Sequence, residues 1–571
     1  MFVMSVNMLR SLEDSKNAYY ETNRFAQIFA QVKRAPASVL RQIRAVPGID
    51  QVDDRIVVEV TIDVDQMAEP ATGRLISVPT LHRALLNDVH IRQGRYLEPR
   101  RQGEVLVSEP FAESHQLKPG DTLSAILNGR RQKLTIVGIA LSPEYLIQIS
   151  GGSMLPDNRR FGIFWMEREQ LAAAFDLEGA FNDLTATFVR GASEAEILRQ
   201  VDQILAPYGG TAAYGREQHV SNRYICDEIR QLGSMGMVTP IIFLLVATFL
   251  LNIVVSRQVS MQREQIAALK AFGYTNAAVG WHYLQLVFMI TACGTVLGIA
   301  LGNWFGHGLT AMYAQFYRFP TFHFTLDFRV VILSSLLTIG AASLGTVSAV
   351  MKAVRLPPAE AMRPEPPPNY SHGWLEHPRM QRWVPNITRM ILRQLQRRRW
   401  KAFLSILGIA LAVSVLVLGS FMEDSVQYMM DHQFRVVQRQ DVMVSLTEPT
   451  SKRAMLDMLH LDGVLAAEPF RTVPVRFRAG HRWKQVPIMG LPTNTTLYRL
   501  VDVNQREVAI PPNGLLLSDK LAEILSVGPG DQVTVEVLEG QRRTLRVPVT
   551  NVVTEYNGTN AYMELSALHK L

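Results

Sequence analysis

Four long stretches of this chain carry no charged side chain, and they limit its possible folds more than any other feature. They cover residues 237–255, 283–305, 330–350 and 402–419. Each approaches the roughly 20 apolar residues that an α-helix needs to cross the hydrocarbon core of a bilayer. Because uncharged runs of this length rarely recur within one soluble chain, the sequence predicts four complete transmembrane helices.

The charges beside these runs predict their orientation. Between the third and fourth runs, residues 352–401 include eleven Lys or Arg and three Glu. Cytoplasmic loops carry such an excess, which also anchors a chain to anionic lipid headgroups. With this segment in the cytoplasm, residues 256–282 are cytoplasmic as well, and residues 13–232 and 422–571 lie outside. Because many of the positive charges flank the membrane runs, the net charge of +7 indicates membrane lipids as partners, and we expect no nucleic acid.

A repeat relates the two outer segments. Residues 105–121, VLVSEPFAESHQLKPGD, match residues 515–531, LLLSDKLAEILSVGPGD, without a gap. Each copy reads as an apolar strand, a short amphipathic helix and a Pro-Gly-Asp turn before another strand. A weaker echo surrounds Gly48 and Gly463. The sequence therefore predicts two copies of one mixed α+β extracytoplasmic domain.

Within the first copy, β-branched and apolar residues predict strands at 56–62, 105–107, 134–139 and 184–189. A capping box, Ser193 with Glu196, predicts the start of an amphipathic helix.

The repeat also extends into the membrane. The second outer domain, 422–571, follows a helix at 402–421, so residues 1–12 are interpreted as the outer end of an equivalent, truncated helix. The first outer domain, 13–232, precedes a three-helix membrane domain at 233–352 and a basic, Pro-rich cytoplasmic linker at 353–401. The predicted duplicated unit is a helix, an outer domain and three helices. We expect the chain to be truncated at both ends, with its second outer domain incomplete.

The cytoplasmic loop contains the segment REQIAALKAFG at residues 263–273. Ile266, Leu269 and Phe272 recur at helical spacing and Gly273 can end the helix, which predicts a short amphipathic helix along the membrane. Here the chain resembles the FtsX-like permease family of ABC transporters, which carries a similar segment, although Arg and Glu are adjacent in this chain. LPPAEAMR at 356–363 and RRRWKAFL at 397–404 also resemble that family, and the outer repeats resemble the MacB-type periplasmic core domain.

The resemblance implies a double-length, multi-pass permease of the bacterial inner membrane that acts with a separate ABC ATPase, in two copies. It implies no cofactor on this chain, since ATP acts through the partner. The candidate ATPase-coupling residues are Arg263, Glu264, Ile266, Leu269, Lys270 and Gly273. The alternative is a surface helix that only connects two membrane crossings.

Glycines recur every fourth residue in the second membrane run, at Gly294, Gly298, Gly302 and Gly306. Small residues at this interval allow close helix approach, so we expect a packing surface rather than a substrate pathway.

Searches for catalytic and metal-binding motifs find none in the sequence. It contains no Gly-x-x-x-x-Gly-Lys loop, no His-Glu-x-x-His pair and no Gly-x-Ser-x-Gly elbow. Two cysteines, Cys226 and Cys293, exclude a disulfide framework and a cysteine metal site within one chain. We expect neither catalytic residues nor a metal.

Three functions remain open. The favoured one is export or extraction of lipid, lipoprotein or an amphiphile. The second is a regulator that conveys ATPase motion to an envelope enzyme such as a cell-wall hydrolase. A periplasmic adaptor or that enzyme would then be a further partner. The third, a membrane-anchored enzyme, is disfavoured because the sequence has no catalytic motif.

Overall fold

The structure is a computed structural model, and it describes residues 1–64, 67, 69–150, 156–354, 391, 399–446, 450–451, 453–556 and 558–571. The chain forms two compact units. One unit joins Met1–Tyr19 to Tyr224–Phe421, and the other contains Tyr20–Arg223 and Met422–Leu571. The predicted linker at 353–401 lies outside the described residues except at its ends and at residue 391.

The first outer domain follows an N-terminal helix and mixes strands with short helices. In chain order the elements are α1 (Phe2–Thr22), β1 (Ile28–Pro36), α2 (Val39–Arg44), β2 (Ile49–Arg55), β3 (Val57–Asp63), β4 (Ala71–Val78), β5 (His90–Gly94), β6 (Glu104–Ser108), α3 (Glu109–Ser114), β7 (Thr122–Leu127), β8 (Arg130–Leu141), β9 (Phe161–Glu167), α4 (Arg168–Ala174), β10 (Ala180–Phe188), α5 (Glu194–Leu205) and β11 (Tyr214–Gly215). The four predicted strands correspond to β3, β6, β8 and β10.

These strands form two sheets. One has the order β11-β1-β10-β2, and the other has the order β5-β8-β6-β9-β4-β3-β7. Strand β7 also pairs with β8, so six strands of the larger sheet close on themselves. The smaller sheet packs against α2 and α5 through a separate apolar core that includes Ile28, Ile43, Leu184 and Val201. The first outer domain is therefore a barrel joined to a small sheet covered by helices.

Helix α5 begins where the sequence predicts, but for a different reason. Ser193 is its N-cap residue, yet its side chain makes no capping hydrogen bond. Glu196 instead accepts hydrogen bonds from Arg199 and Gln200. The predicted capping box is therefore wrong. Burial of Ile197, Val201 and Leu205 in the core supports the helix instead.

The chain then forms helices long enough to cross a membrane. They are α6 (Val220–Met261), α8 (Asn276–Phe316), α9 (Phe328–Val354) and α10 (Arg399–Asp431), with the short α7 (Arg263–Ala271) between the first two. At most 22% of the most apolar window in each candidate span is buried by protein. Such apolar surface requires lipid around it. The prediction of four membrane helices is confirmed.

The second outer domain contains a closed barrel. Its elements are α11 (Arg453–Leu459), β12 (Arg471–Ala479), β13 (Arg482–Leu491), β14 (Leu515–Ser518), α12 (Asp519–Leu525), β15 (Gln532–Val537), β16 (Thr544–Val553), β17 (Ala561–Glu564) and α13 (Leu565–Leu568). The barrel order β12-β13-β17-β14-β16-β15 repeats β3-β4-β9-β6-β8-β7 of the first domain. The parallel pairs β4–β9 and β6–β8 recur as β13–β17 and β14–β16. The predicted duplication of the outer domain is confirmed.

The Pro-Gly-Asp turns have the same geometry in both copies. Gly120 and Gly530 have φ angles of 105° and 97°, which favour glycine. The carboxylate of Asp121 accepts a hydrogen bond from the Lys118 backbone at 2.7 Å, and that of Asp531 accepts one from the Gly528 backbone at 2.8 Å. These residues therefore build a turn, which accounts for their recurrence.

Candidate coupling site

Helix α7 is joined to the end of α6 through a single residue. Gln262 has φ −94° and ψ 17°, outside the values of an α-helix. Hydrogen bonds nevertheless continue through it, from the Gln262 backbone to Gln258 at 3.1 Å and from the Ile266 backbone to Gln262 at 3.0 Å. The side chain of Gln262 accepts a hydrogen bond from the Tyr283 hydroxyl at 2.7 Å. Helix α7 is thus tied to both α6 and α8.

The C-terminus of α7 is closed by a Schellman motif. Gly273 has a φ of 94°, and its backbone N–H donates to the Lys270 carbonyl at 3.1 Å. The next N–H, that of Tyr274, donates to the Leu269 carbonyl at 3.2 Å. Gly273 therefore ends α7, as the sequence predicts. Thr275 then caps α8 by accepting a hydrogen bond from the Ala278 backbone.

One face of α7 is buried against the membrane helices. Ile266 packs in a cluster with Val255 and Val259 of α6, with residues of α8 that include Val279, and with Val350 of α9. Because Ile266 is almost completely covered, it attaches α7 to the bundle.

The other face of α7 is exposed. Glu264 is exposed, Leu269 is 41% exposed and Phe272 is 84% exposed. The expected single apolar face is therefore split, with Ile266 on the bundle and with Leu269 and Phe272 away from it. Exposed Tyr274 extends this surface and was not among the predicted residues, although an aromatic residue next to the terminating glycine was a usable signal. We call Glu264, Leu269, Phe272 and Tyr274 the α7 surface.

The remaining predicted coupling residues lie at the edges of this surface. Arg263 and Lys270 are half-buried, and Gly273 is exposed. Five of the six candidate residues are thus exposed or half-buried at the two ends of α7, whereas the sixth, Ile266, attaches the helix to the bundle.

The glycine stripe on α8 divides into two halves. A side chain at Gly302 would contact Val3 of α1, and one at Gly306 would strike the ring of Phe324. Gly294 and Gly298 have no described atom outside their own helix within 4 Å of such a side chain. Close packing therefore involves the half near α1. The other half is open among the described residues.

Helix α1 takes part in this packing. The Asn7 side chain accepts a hydrogen bond from the Asp327 backbone at 3.0 Å, and Ser11 accepts one from the Thr325 backbone at 3.1 Å. Arg10 also pairs with the Asp327 carboxylate. These bonds fix α1 to the segment that precedes α9, and the polar residues Asn7 and Ser11 are buried by it.

A buried ionic cluster lies inside the first outer domain. Arg55, at the end of β2, donates to Asp183 at 2.6 Å and to Glu144 at 2.6 Å. Nε2 of His219, the residue before α6, lies 4.0 Å from Glu144. All four residues are buried. The cluster therefore links the small sheet, the segment that follows β8 and the start of α6.

The cluster shifts the protonation of its members. Burial lowers the pKa of His219 to about 4, so this imidazole is neutral at pH 7. Burial alone would raise the pKa of Glu144, but the Arg55 guanidinium outweighs it and lowers that pKa. Among the described residues, no three His, Cys, Asp or Glu side chains come together as a metal site. This cluster is consistent with a structural joint.

Comparisons with known proteins agree with this architecture. Residues 237–358, which contain α6 to α9, match the FtsX-like permease C-terminal model. Residues 402–570 match the MacB-like periplasmic core domain. An uncharacterized ABC transporter permease protein of Mycobacterium tuberculosis (strain ATCC 25618 / H37Rv) is 30% identical over 271 residues. These matches identify residues 237–358 as an FtsX-like permease domain and residues 402–570 as a MacB-like periplasmic core domain of an ABC transporter permease.

The match with the mycobacterial relative covers 46% of this permease and 29% of the relative's length. Two solved structures are similar to parts of the permease. The extracellular domain of the noncanonic ABC-type transporter YknZ from Gram-positive bacteria is 12% identical with a TM-score of 0.23, over 33% of this chain and 98% of that one. The periplasmic region of MacB from Actinobacillus actinomycetemcomitans is 10% identical with the same TM-score, over 36% of this chain and 92% of that one.

Proposed function

We propose that this permease couples ATP hydrolysis on a separate ATPase subunit to movements of its outer domains. The α7 surface supports this most directly. It presents Leu269 and Phe272, both exposed and apolar, and the exposed carboxylate of Glu264 in the first turn, on a helix held to the bundle by Ile266. An exposed aromatic and aliphatic pair with a charged rim is the composition of a protein contact. The positive flanks support a cytoplasmic position for this surface, on the side where ATP is available.

The path from α7 to the outside runs along α6. This helix is continuous over 42 residues, a length of roughly 60 Å at 1.5 Å per residue. Its outer end is tied into the first outer domain, because Ser221 accepts a hydrogen bond from the Ile147 backbone at 3.2 Å and His219 lies against Glu144. A push on α7 would therefore be passed along this helix to the first outer domain.

The work is done outside the membrane in this proposal. The permease resides in the bacterial inner membrane, with two ATPase copies on the cytoplasmic side, and this chain binds no nucleotide itself. The central parts of the four spans are uncharged, which gives a hydrophilic substrate no polar route between them. A lipid, a lipoprotein or a small amphiphile is the cargo that such a permease can extract or export.

Variants of the α7 surface test the proposed ATPase contact. The double variant Glu264→Arg with Leu269→Asp reverses a charge and places a carboxylate in the apolar patch, so ATP-hydrolysing activity that co-purifies with the permease from native membranes should fall at least about tenfold. Leu81→Asp, at an exposed position of the first outer domain, is the matched control and should leave co-purification unchanged. Co-purification that survives the double variant would contradict the assignment.

The cargo is tested on the purified complex in lipid nanodiscs. ATP turnover should rise on addition of a lipoprotein or an amphiphile. Stimulation by an envelope hydrolase alone, without any response to lipid or amphiphile, would replace the transporter assignment with the regulator.

A further inference from the structure

The hairpin between β15 and β16 of the second outer domain has a longer tip than its counterpart in the first domain. In the first domain, Asn128 and Gly129 alone connect β7 to β8. In the second, the Val537 backbone donates a hydrogen bond to the Arg543 carbonyl at 2.9 Å, so residues 538–542 form the tip. Because the two barrels share one strand order, the short turn is sufficient for the fold and the longer tip is an addition to it.

The tip is an ordered turn that presents Arg542. The Leu538 backbone donates to the Pro474 carbonyl at 3.0 Å, and the Arg542 backbone donates to the Glu539 carbonyl at 3.2 Å. The Glu539 carboxylate pairs with Arg471 at 2.7 Å. Arg542 has a φ of 49°, in the left-handed region that is strained for a residue other than glycine. The turn therefore holds an arginine where its own backbone would favour glycine.

The Arg542 guanidinium contacts the first outer domain, which lies in the same compact unit. Its two terminal nitrogens donate to the Asp202 carbonyl at 3.2 Å and to the Gly210 carbonyl at 2.7 Å. Helix α5 ends at Leu205, and the carbonyl groups at the C-terminus of a helix carry a partial negative charge that a cation complements. Arg542 thus closes the C-terminal end of a helix that belongs to the other outer domain.

The charges around this contact are complementary. The Asp202 side chain is buried and accepts a hydrogen bond from the Ala213 backbone at 2.6 Å. Burial raises the pKa of this carboxyl group, whereas the Ala213 backbone and the guanidinium groups of Arg542 and Arg476 lower it. Arg476 lies on β12, with its guanidinium carbon 5.4 Å from the centroid of the Trp483 ring. Two cations of the second outer domain therefore act on the carbonyl and carboxylate groups at the end of α5.

We propose that residues 538–542 form an interdomain clamp that fastens the second outer domain to the C-terminal end of α5 in the first. Arg542 is the anchor of the clamp, because its charge-assisted hydrogen bonds are directed to main-chain carbonyls that α5 presents in a fixed geometry. The clamp concerns the outer domains alone and needs no ATPase. Its consequence for coupling, which rests on the proposed function, is that motion passed along α6 to the first outer domain would also move the second.

Amide hydrogen exchange of the purified full chain in detergent, without any ATPase, tests the clamp. Arg542→Ala should speed exchange about fivefold or more both in residues 198–213 of the first domain and in residues 536–543 of the second, because each side loses its cover. Arg542→Gln, which keeps a polar side chain but not the charge, should behave in the same way. Arg543→Ala is the matched control, since that exposed side chain bonds only to Gln541 within the tip, and it should leave residues 198–213 unchanged.

Two exchange results would overturn the proposal. One is an unchanged rate at residues 198–213 in Arg542→Ala, and the other is faster exchange confined to residues 536–543, which would mean that Arg542 supports only its own hairpin. A second measurement places the photo-crosslinker p-benzoylphenylalanine at Gln541. It should cross-link to residues 198–213 of the same polypeptide, whereas a cross-linked dimer would make a second copy the partner and overturn the clamp. Since no ATPase is present, failure here and failure of the ATPase contact remain distinguishable.

Discussion

His219 is neutral inside the folded first outer domain, and its burial links the stability of that domain to pH. Its pKa is about 4 in the folded state and 6.5 for an exposed histidine. As the pH falls from 6.5 towards 4, His219 binds a proton in the unfolded chain but stays neutral in the folded domain. The free energy of unfolding should therefore fall over this window, by up to about 3 kcal/mol, and should be unaffected by His219 above it.

The measurement is the melting temperature of the chain in detergent between pH 4.5 and pH 7.5. His219→Gln should flatten the decline below pH 6.5. His82→Gln, at an exposed position, should leave it in place. Keeping the pH above 4.5 separates His219 from Glu144, whose lowered pKa confines its own contribution to more acidic conditions. An unchanged decline in His219→Gln would show that other groups cause it.

The glycines of α8 give a second prediction for single residues. Gly306→Leu must displace the ring of Phe324, and overpacking of this kind typically costs about 1–3 kcal/mol. Gly294→Leu places the same side chain in open space and is the matched control. Thermal unfolding in detergent should distinguish them, with a lower melting temperature for Gly306→Leu. Equal melting temperatures would mean that Phe324 moves aside freely.

At the scale of elements, α7 combines an attachment with a contact surface, and different residues serve the two. Ile266→Ala removes buried methyl groups and should loosen α7 from α6 and α8, while the α7 surface stays intact. We expect this variant to retain the ATPase in co-purification but to lose most of the ATP-dependent transport. Phe272→Asp should instead lose the ATPase in co-purification, because it disrupts the α7 surface itself. Loss of the partner in both variants would contradict the division.

The elements were predicted well wherever local pattern determines them. The repeat predicted two copies of one mixed α+β domain, and Gly273 predicted the end of α7. The predicted start of the first membrane domain, near residue 233, marks where charged residues end. Helix α6 itself begins at Val220, since a helix can continue into water with charged side chains. Periodicity at 263–272 could not tell which apolar residues meet the bundle, because that depends on the neighbouring helices.

The buried ionic cluster was not predicted for a related reason. Arg55, Glu144, Asp183 and His219 come from four segments far apart in the chain, and no local spacing relates them. The packing of α1 beside Gly302 could not be predicted either, because these two residue ranges lie about 300 positions apart in the chain. Long-range contacts of this kind become visible only when the topology is known.

At the scale of the whole molecule, we propose that the permease transmits motion across the membrane and has no catalytic residues of its own. The α7 surface receives the ATPase, α6 carries the motion and the outer domains act on the cargo. The second outer domain repeats the barrel of the first, so both copies offer the same strand arrangement for this purpose.

Hydrogen exchange of the permease–ATPase complex in nanodiscs, measured with and without ATP, tests this coupling most directly. In the unmodified complex, ATP should change exchange rates within residues 20–223, which lie outside the membrane in our proposal. With Ile266→Ala, which leaves the ATPase bound, this response should be lost. An identical ATP response in both complexes, or no response in the unmodified complex with an active ATPase bound, would contradict the proposed coupling.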